Sequence, residues 1–228
     1  MSVEDVALQT QRLRRVAHRH PSAVLLAAQL LSLLLYPLMD DSAAGRLLFG
    51  AVALVVVPLA VWVISHSPSI TKIGWLLAVP AMLLTLVGVL FEYEALLPWA
   101  ALLEAALYFY AAAGLISYML HDHKVTGDEL FAAGATFTLL AWGFAYAYYV
   151  CQAWNPGSFT GFEPERPRTW MELLFYSFTN LSATGLGDVL PVSAPARVLT
   201  MLEQFAGVGY IATVVSRLIG LTIVREQR

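Results

Sequence analysis

Ser177-Phe178-Thr179-Asn180-Leu181-Ser182-Ala183-Thr184-Gly185-Leu186-Gly187-Asp188 carries the most distinctive local pattern in the chain. A short apolar run from Leu173 to Leu181 enters it, and two glycines separated by one residue close it. Glycine reaches the left-handed backbone region without the Cβ penalty that other residues meet. Gly185 and Gly187 are therefore read as the positions where an extended segment reverses its backbone orientation. Alone, Gly185-Leu186-Gly187-Asp188 reads as a surface turn. Its surroundings reverse that reading: an amphipathic aromatic segment precedes it, and a long apolar run lies on each side.

Composition sets the environment. Of 228 residues 59% are hydrophobic and only 13% charged, with a mean hydropathy of +0.68. No soluble domain of this size needs so much apolar surface, whereas a polytopic membrane protein does. The single cysteine, Cys151, excludes an intrachain disulfide framework and a cysteine-based metal cluster. A net charge of −3, with no basic stripe interleaved with aromatics, gives no nucleic-acid partner.

Six apolar runs, at 23–39, 47–65, 74–91, 95–120, 130–153 and 196–224, are each close to the roughly 20 residues that a helix needs to cross the hydrocarbon. Backbone in lipid must satisfy its own hydrogen bonds, so all six are read as helices. Pro58, Pro80 and Pro98 are expected to kink them. Residues 1–21 read as a cytoplasmic N-terminal segment carrying Arg12, Arg14, Arg15 and Arg19. The alternative, a signal peptide cut near Ala43-Ala44-Gly45, would leave an odd number of spans. An internal N-terminus puts nine of the 13 basic residues inside, so both termini are expected to be cytoplasmic. The same topology gives an acidic outer face, which serves a cation pathway or simply a solvated rim.

Between the last two runs lie some forty residues, 154–194, too many for a turn. Asn155 to Arg168 is rich in Pro and Gly and reads as an exposed turret. Thr169-Trp170-Met171-Glu172 has the spacing of a capping box, and the helix it starts is too short to span. A short helix and an extended strand between two spans form a re-entrant loop, which survives at membrane depth only against water or protein.

Residues 183–188 resemble the selectivity filter of potassium-channel-type pore-loop cation channels, whose pattern is Thr-Val-Gly-Tyr-Gly-Asp. Both glycines and the aspartate are kept; Ala183, Thr184 and Leu186 replace Thr, Val and Tyr. Residues 201–220 look like the inner helix of small prokaryotic ion channels. The resemblance implies an all-α polytopic membrane protein of voltage-gated-like cation channel fold, with six transmembrane helices plus a re-entrant pore helix and filter. It divides the chain into a voltage-sensor-like four-helix bundle at 22–121 and a pore domain at 129–224. It implies a homotetramer, embedded in lipids of the cell membrane, that needs no cofactor besides the permeant potassium ions. Those ions would be held by carbonyls of Ala183, Thr184, Gly185 and Leu186, with Ser182 and Gly187 completing the filter and Asp188 at the outer mouth. Phe175, Tyr176 and Thr179 would back the filter, and Gly207 and Gly209 would serve as a hinge or as close-packing positions.

Two acidic residues lie within spans. Glu203 is expected to support the filter or to line a water-filled crevice, and Glu104 has no partner legible in the sequence. His66, His121 and His123 read as solvated interface histidines. The run 95–120 has no Lys or Arg, which removes the charges that voltage sensing requires. No ligand-binding domain is expected after the last span. Gly185-Leu186-Gly187-Asp188 also resembles the Gly-x-Gly-Asp of intramembrane aspartyl proteases, but no other span interior supplies the second aspartate. A secondary transporter would show inverted repeats, and none is visible. Loss of the hydroxyl at 183 and of an aromatic brace at 186 leaves a weakly selective monovalent cation channel as the alternative, with Ala183→Thr and Leu186→Tyr together expected to sharpen selection.

Overall fold

The computed structural model describes residues 20–35, 58, 68–121 and 126–220. The arginines of the N-terminal segment, the apolar run at 47–65 apart from Pro58, His66, His123 and residues 221–228 lie outside the described residues. Helices dominate: α1 (Pro21–Leu35), α2 (Pro68–Leu90), a 3₁₀ turn (Glu94–Leu96), α3 (Leu97–Leu120), α4 (Gly127–Trp154), α5 (Trp170–Leu181) and α6 (Ala194–Tyr210). Past Tyr210 the last helix passes through a π-helical segment, Ile211–Val215, and resumes at 216–220. Among the described residues four helices are long and apolar enough to cross a bilayer: Lys72–Leu90, Glu94–Leu120, Gly127–Trp154 and Ala194–Gly220. The chain is thus a multi-pass membrane protein; α1 is a shorter apolar helix.

The α4 helix is the scaffold. Its Ala132, Ala135, Leu139, Ala141, Ala145 and Tyr148 are completely buried. Opposite them α3 buries Ala100, Ala101, Ala105, Ala111 and Ala112. Lipid tails are as apolar as leucine, so helices in a bilayer associate by close van der Waals packing, and small residues permit it. Larger rings fill the remaining space, with Phe109 edge-on to Phe144 at 4.9 Å between ring centres. A Cβ at Gly143 would lie 3.0 Å from the Phe109 ring, so the glycine makes that stacking possible.

The described peripheral helices α1 and α3 both lie on α4 of their own chain. On α1, Leu26 covers Gly134 of α4, where a Cβ would approach within 2.9 Å. The α2 helix packs on α3, and there Glu104 acquires the partner the sequence hid: Thr85 donates to its Oε1 at 3.1 Å. Pro98 is not a kink. It occupies the first turn of α3, where the missing N–H would have no intrahelical acceptor anyway. Pro80 does lie inside α2.

One polar tie fixes the start of α1. Asp128, in the first turn of α4, accepts from the Ser22 N–H at 3.1 Å and from the Ser22 hydroxyl at 2.8 Å. The Ser22 N–H is one of the first four in α1, which no helix satisfies internally. Asp128 caps one helix from another, 106 residues away. Asp128→Ala should therefore lower stability by about 1–3 kcal/mol, read as an earlier thermal transition in mild detergent. An unchanged transition would show that the tie contributes nothing.

Candidate functional site

The α5 helix begins at a capping box: the Thr169 hydroxyl accepts from the Glu172 N–H at 3.2 Å, and Glu172 accepts from the Thr169 N–H at 2.6 Å. Arg166 adds a two-pronged contact to Glu172, at 3.0 and 3.1 Å. Partial burial works to raise the Glu172 carboxyl, but the Thr169 N–H and hydroxyl and the Arg166 guanidinium outweigh it and hold it below its ordinary value. Arg168, almost entirely buried, donates to the carbonyls of Glu163 and Arg166 and organises the loop ahead of the helix. Gln152 of α4 clasps the Arg168 backbone, accepting from its N–H at 2.7 Å and donating to its carbonyl at 2.9 Å. Strands β1 (Phe159–Thr160) and β2 (Leu190–Pro191) pair antiparallel and close the two ends of the loop on each other.

The ending of α5 decides the shape of the segment 183–188. Ser182 is its C-cap. The next residue, Ala183, is left-handed with φ 58°, and its N–H reaches the Asn180 carbonyl at 3.0 Å. The Thr184 N–H reaches the Thr179 carbonyl, also at 3.0 Å. These two bonds, with a left-handed residue just past the cap, are the Schellman ending of a helix, where glycine is the usual occupant. The Gly185 N–H bonds the same Thr179 carbonyl at 3.0 Å, and Gly185 is left-handed with φ 64°. The expectation for Gly187 is corrected: the left-handed positions are Ala183 and Gly185, and Gly187 is not among them. The pairing falls one residue past the helix cap because the orphan carbonyls of α5 select where the chain turns. Alanine in this region costs roughly 1–2 kcal/mol, and a β-branched residue is a still poorer occupant. Ala183→Thr would therefore strain the turn.

Past the turn, residues 183–188 are exposed, Leu186 to 71%. Tyr176, a proposed backing residue, pairs its hydroxyl with Thr200 of α6 at 2.8 Å rather than with the segment 183–188. Phe175 is half exposed. Thr179 is the residue that meets the segment directly, and its hydroxyl is anchored to the Tyr176 carbonyl at 2.8 Å. Asp188 is exposed at the end of the segment.

Behind α5 the structure gathers polar groups from three helices. Glu203 of α6 is completely buried and accepts from Tyr148 of α4 and Ser177 of α5. Ser177 also lies 2.7 Å from the Ala141 carbonyl. Beside it Gln204 donates to Asn180 at 2.9 Å, and Asn180 donates to the Tyr176 carbonyl at 2.8 Å. Sequence reasoning found Glu203 but missed Tyr148, Ser177 and Gln204. The adjacent polar pair at 203–204 in an apolar helix was the available signal; nothing local marked the partners.

Gly207 belongs to the same contact. A Cβ there would sit 2.1 Å from the Leu181 carbonyl oxygen, so α6 touches the end of α5 backbone to backbone. Gly209 has nothing within 4 Å of such a Cβ. The last helix keeps its α form through both glycines and departs from it at Ile211–Val215. Its lower end is tied elsewhere: Tyr210 donates to the Ala133 carbonyl of α4 at 2.6 Å, and Arg217 donates to the Met119 carbonyl in the last turn of α3.

Comparison with known proteins agrees with this geometry. Residues 134–223 match the family model described as an ion channel. The voltage-gated potassium channel Kch of Escherichia coli (strain K12) is 25% identical over 150 residues, 65% of this chain and 33% of that protein. The chain spans about a third of the length of that curated relative. No solved structure matches the chain. The matched residues take in most of α4, all of α5, the segment 183–188 and α6, so the part of the chain around the site is similar to ion channels and not to an enzyme.

Substitutions separate packing from turn geometry. Gly207→Ala should lower the thermal transition in detergent, because the new methyl meets backbone that cannot swing away, whereas Gly209→Ala should leave it in place. Ala183→Gly should raise it by the relief of about 1 kcal/mol. Equal effects at 207 and 209 would disprove the contact.

Proposed function

We propose that this chain is one subunit of a homotetrameric cation channel that passes potassium ions passively through a filter built from residues 182–187, with α5 as the pore helix, α4 as the outer helix and α6 as the inner helix. The observation that carries the reading is the direction in which the filter spends its hydrogen bonds. The N–H groups of Thr184 and Gly185 are turned back onto the pore helix. Among the described residues no donor of the chain occupies the carbonyls of 182–187. Exposed carbonyls without a partner inside the chain are costly unless water or an ion takes them, and a ring of such carbonyls is how pore-loop channels replace an ion's hydration shell.

One subunit supplies one strand, so a closed ring requires several copies about a common axis, four in channels of this type. Apolar surface on the inner helix supports such an assembly: Phe205 is 80% exposed in the single chain, and Met201, Leu202 and Val208 are more than half exposed. The pore helix directs the partially negative end of its dipole toward the filter, which favours a cation there. Glu203, Tyr148 and Ser177 act in this reading as the rear support that fixes the pore helix between the outer and inner helices. Asp188 stands at the outer mouth, and the termini are placed in the cytoplasm. The start of α1 lies against the start of α4, as expected if both enter the membrane from the same side. Trp99 near the start of α3 meets Trp154 at the end of α4, at 5.3 Å, an aromatic pair suited to the opposite interface. The α3 helix, Leu97–Leu120, has neither Lys nor Arg, so opening is expected to be nearly independent of voltage.

Purified protein reconstituted in liposomes should pass potassium without a counter-ion, and the particle should have the mass of a tetramer. Absence of flux, flux that depends on a coupled substrate, or a conducting monomer would refute the reading. The reversal potential in potassium against sodium distinguishes a selective channel from the weakly selective alternative.

A further inference from the structure

We infer that Thr184 is the specificity-determining brace of the filter: its side-chain hydroxyl, bonded to the carbonyl of Thr179, holds the strand in shape where position 186 has no donor to do so. The inference rests on the channel reading above.

The filter turns through two left-handed residues, of which Ala183 carries the steric penalty. Ala183 and Gly185 are both left-handed, at φ 58° and 64°, and Thr184 lies between them. Sparsely populated backbone persists only where its surroundings over-determine it. The outer part of the strand offers little: the Leu186 side chain has no hydrogen-bonding group and is 71% exposed. Thr184 supplies the constraint instead. It presents two donors to one oxygen, its N–H at 3.0 Å and its hydroxyl at 3.2 Å from the Thr179 carbonyl. The Ser182 hydroxyl lies 3.0 Å from that of Thr184 and 3.4 Å from the same carbonyl, a longer and secondary contact.

The anchor is itself fixed. Thr179 donates to the Tyr176 carbonyl, the Tyr176 and Thr200 hydroxyls pair at 2.8 Å, and the Thr200 hydroxyl also reaches the Ala196 carbonyl at 2.9 Å. A polar path thus runs from the filter residue through the pore helix into the inner helix. Two donors on one residue restrict the rotation of the peptide planes on either side of it, and those planes carry the carbonyls proposed to face the ion. Loss of the hydroxyl leaves the N–H bonds in place. The strand then stays attached but gains freedom to adjust its spacing to a smaller ion.

Thr184→Val has the shape of threonine without the hydroxyl, and Thr184→Ser keeps the hydroxyl with less bulk. Both would be compared with wild type and Ser182→Ala as assembled particles in liposomes, with the reversal potential measured in potassium against sodium. The valine variant should lower the potassium-to-sodium permeability ratio by about five- to tenfold, the size of one hydrogen bond, while total conductance persists. The serine variant should restore most of the ratio, and Ser182→Ala should shift it less than valine does. An unchanged or higher ratio in the valine variant overturns the inference, as does an equal loss in Ser182→Ala. Failure of the valine variant to assemble would place the hydroxyl in folding rather than in ion choice, and also overturns it. Absence of flux in the wild type is a different failure: it removes the channel reading and the inference with it.

Discussion

The ending of α5 governs the rest of the loop. A helix leaves its last carbonyls without partners, and here the chain turns back to satisfy them. The Thr179 carbonyl collects the N–H groups of Thr184 and Gly185, which requires left-handed backbone at Ala183 and Gly185. That one requirement produces the exposure of residues 183–188 and the freedom of their carbonyls. A helix that ran one turn further would consume the same residues in helical bonds and leave no strand.

Such a turn holds its shape only against a rigid background, and α4 and α6 provide it. Gly207 brings α6 into backbone contact with Leu181, and Glu203 gathers hydroxyls from α4 and α5 behind the same helix. The two devices have different physics. The glycine works by omission, since any side chain would push the helices apart. The glutamate works by concentration, because one buried carboxyl group gathers the hydroxyls of Tyr148 and Ser177. The aromatic layer of Tyr148, Tyr176 and Phe159 fills the space around them, with ring centres 5.1–5.9 Å apart.

The described peripheral helices are bound to this core by sparse polar ties set in close-packed small residues. Asp128 with Ser22 and Thr85 with Glu104 are two of these ties. Apolar packing in a bilayer has little power to choose a register, since lipid offers similar contacts. A few hydrogen bonds between side chains at fixed positions choose it instead. Arg217 extends the principle to the last helix, whose last described turn is attached to the end of α3 through the Met119 carbonyl.

Hydropathy and capping are local properties, and what they control can be read from the order of residues. The membrane class, the extents of the described apolar helices, the loop between the last two spans and the Thr169–Glu172 cap were all legible, because each depends on residues a few positions apart. Pairings between distant residues needed the folded chain. Tyr148 and Glu203 are 55 residues apart, and Ser22 and Asp128 are 106 apart, so no local pattern could pair them. Gly207 and Gly209 look alike in sequence, yet one is pressed against Leu181 and the other faces open space, a difference made by helix placement alone. Gly187 looked like the left-handed position because glycine permits it. The structure gave that conformation to Ala183, because the place where a helix stops, and not the residue's preference, sets where the chain must turn.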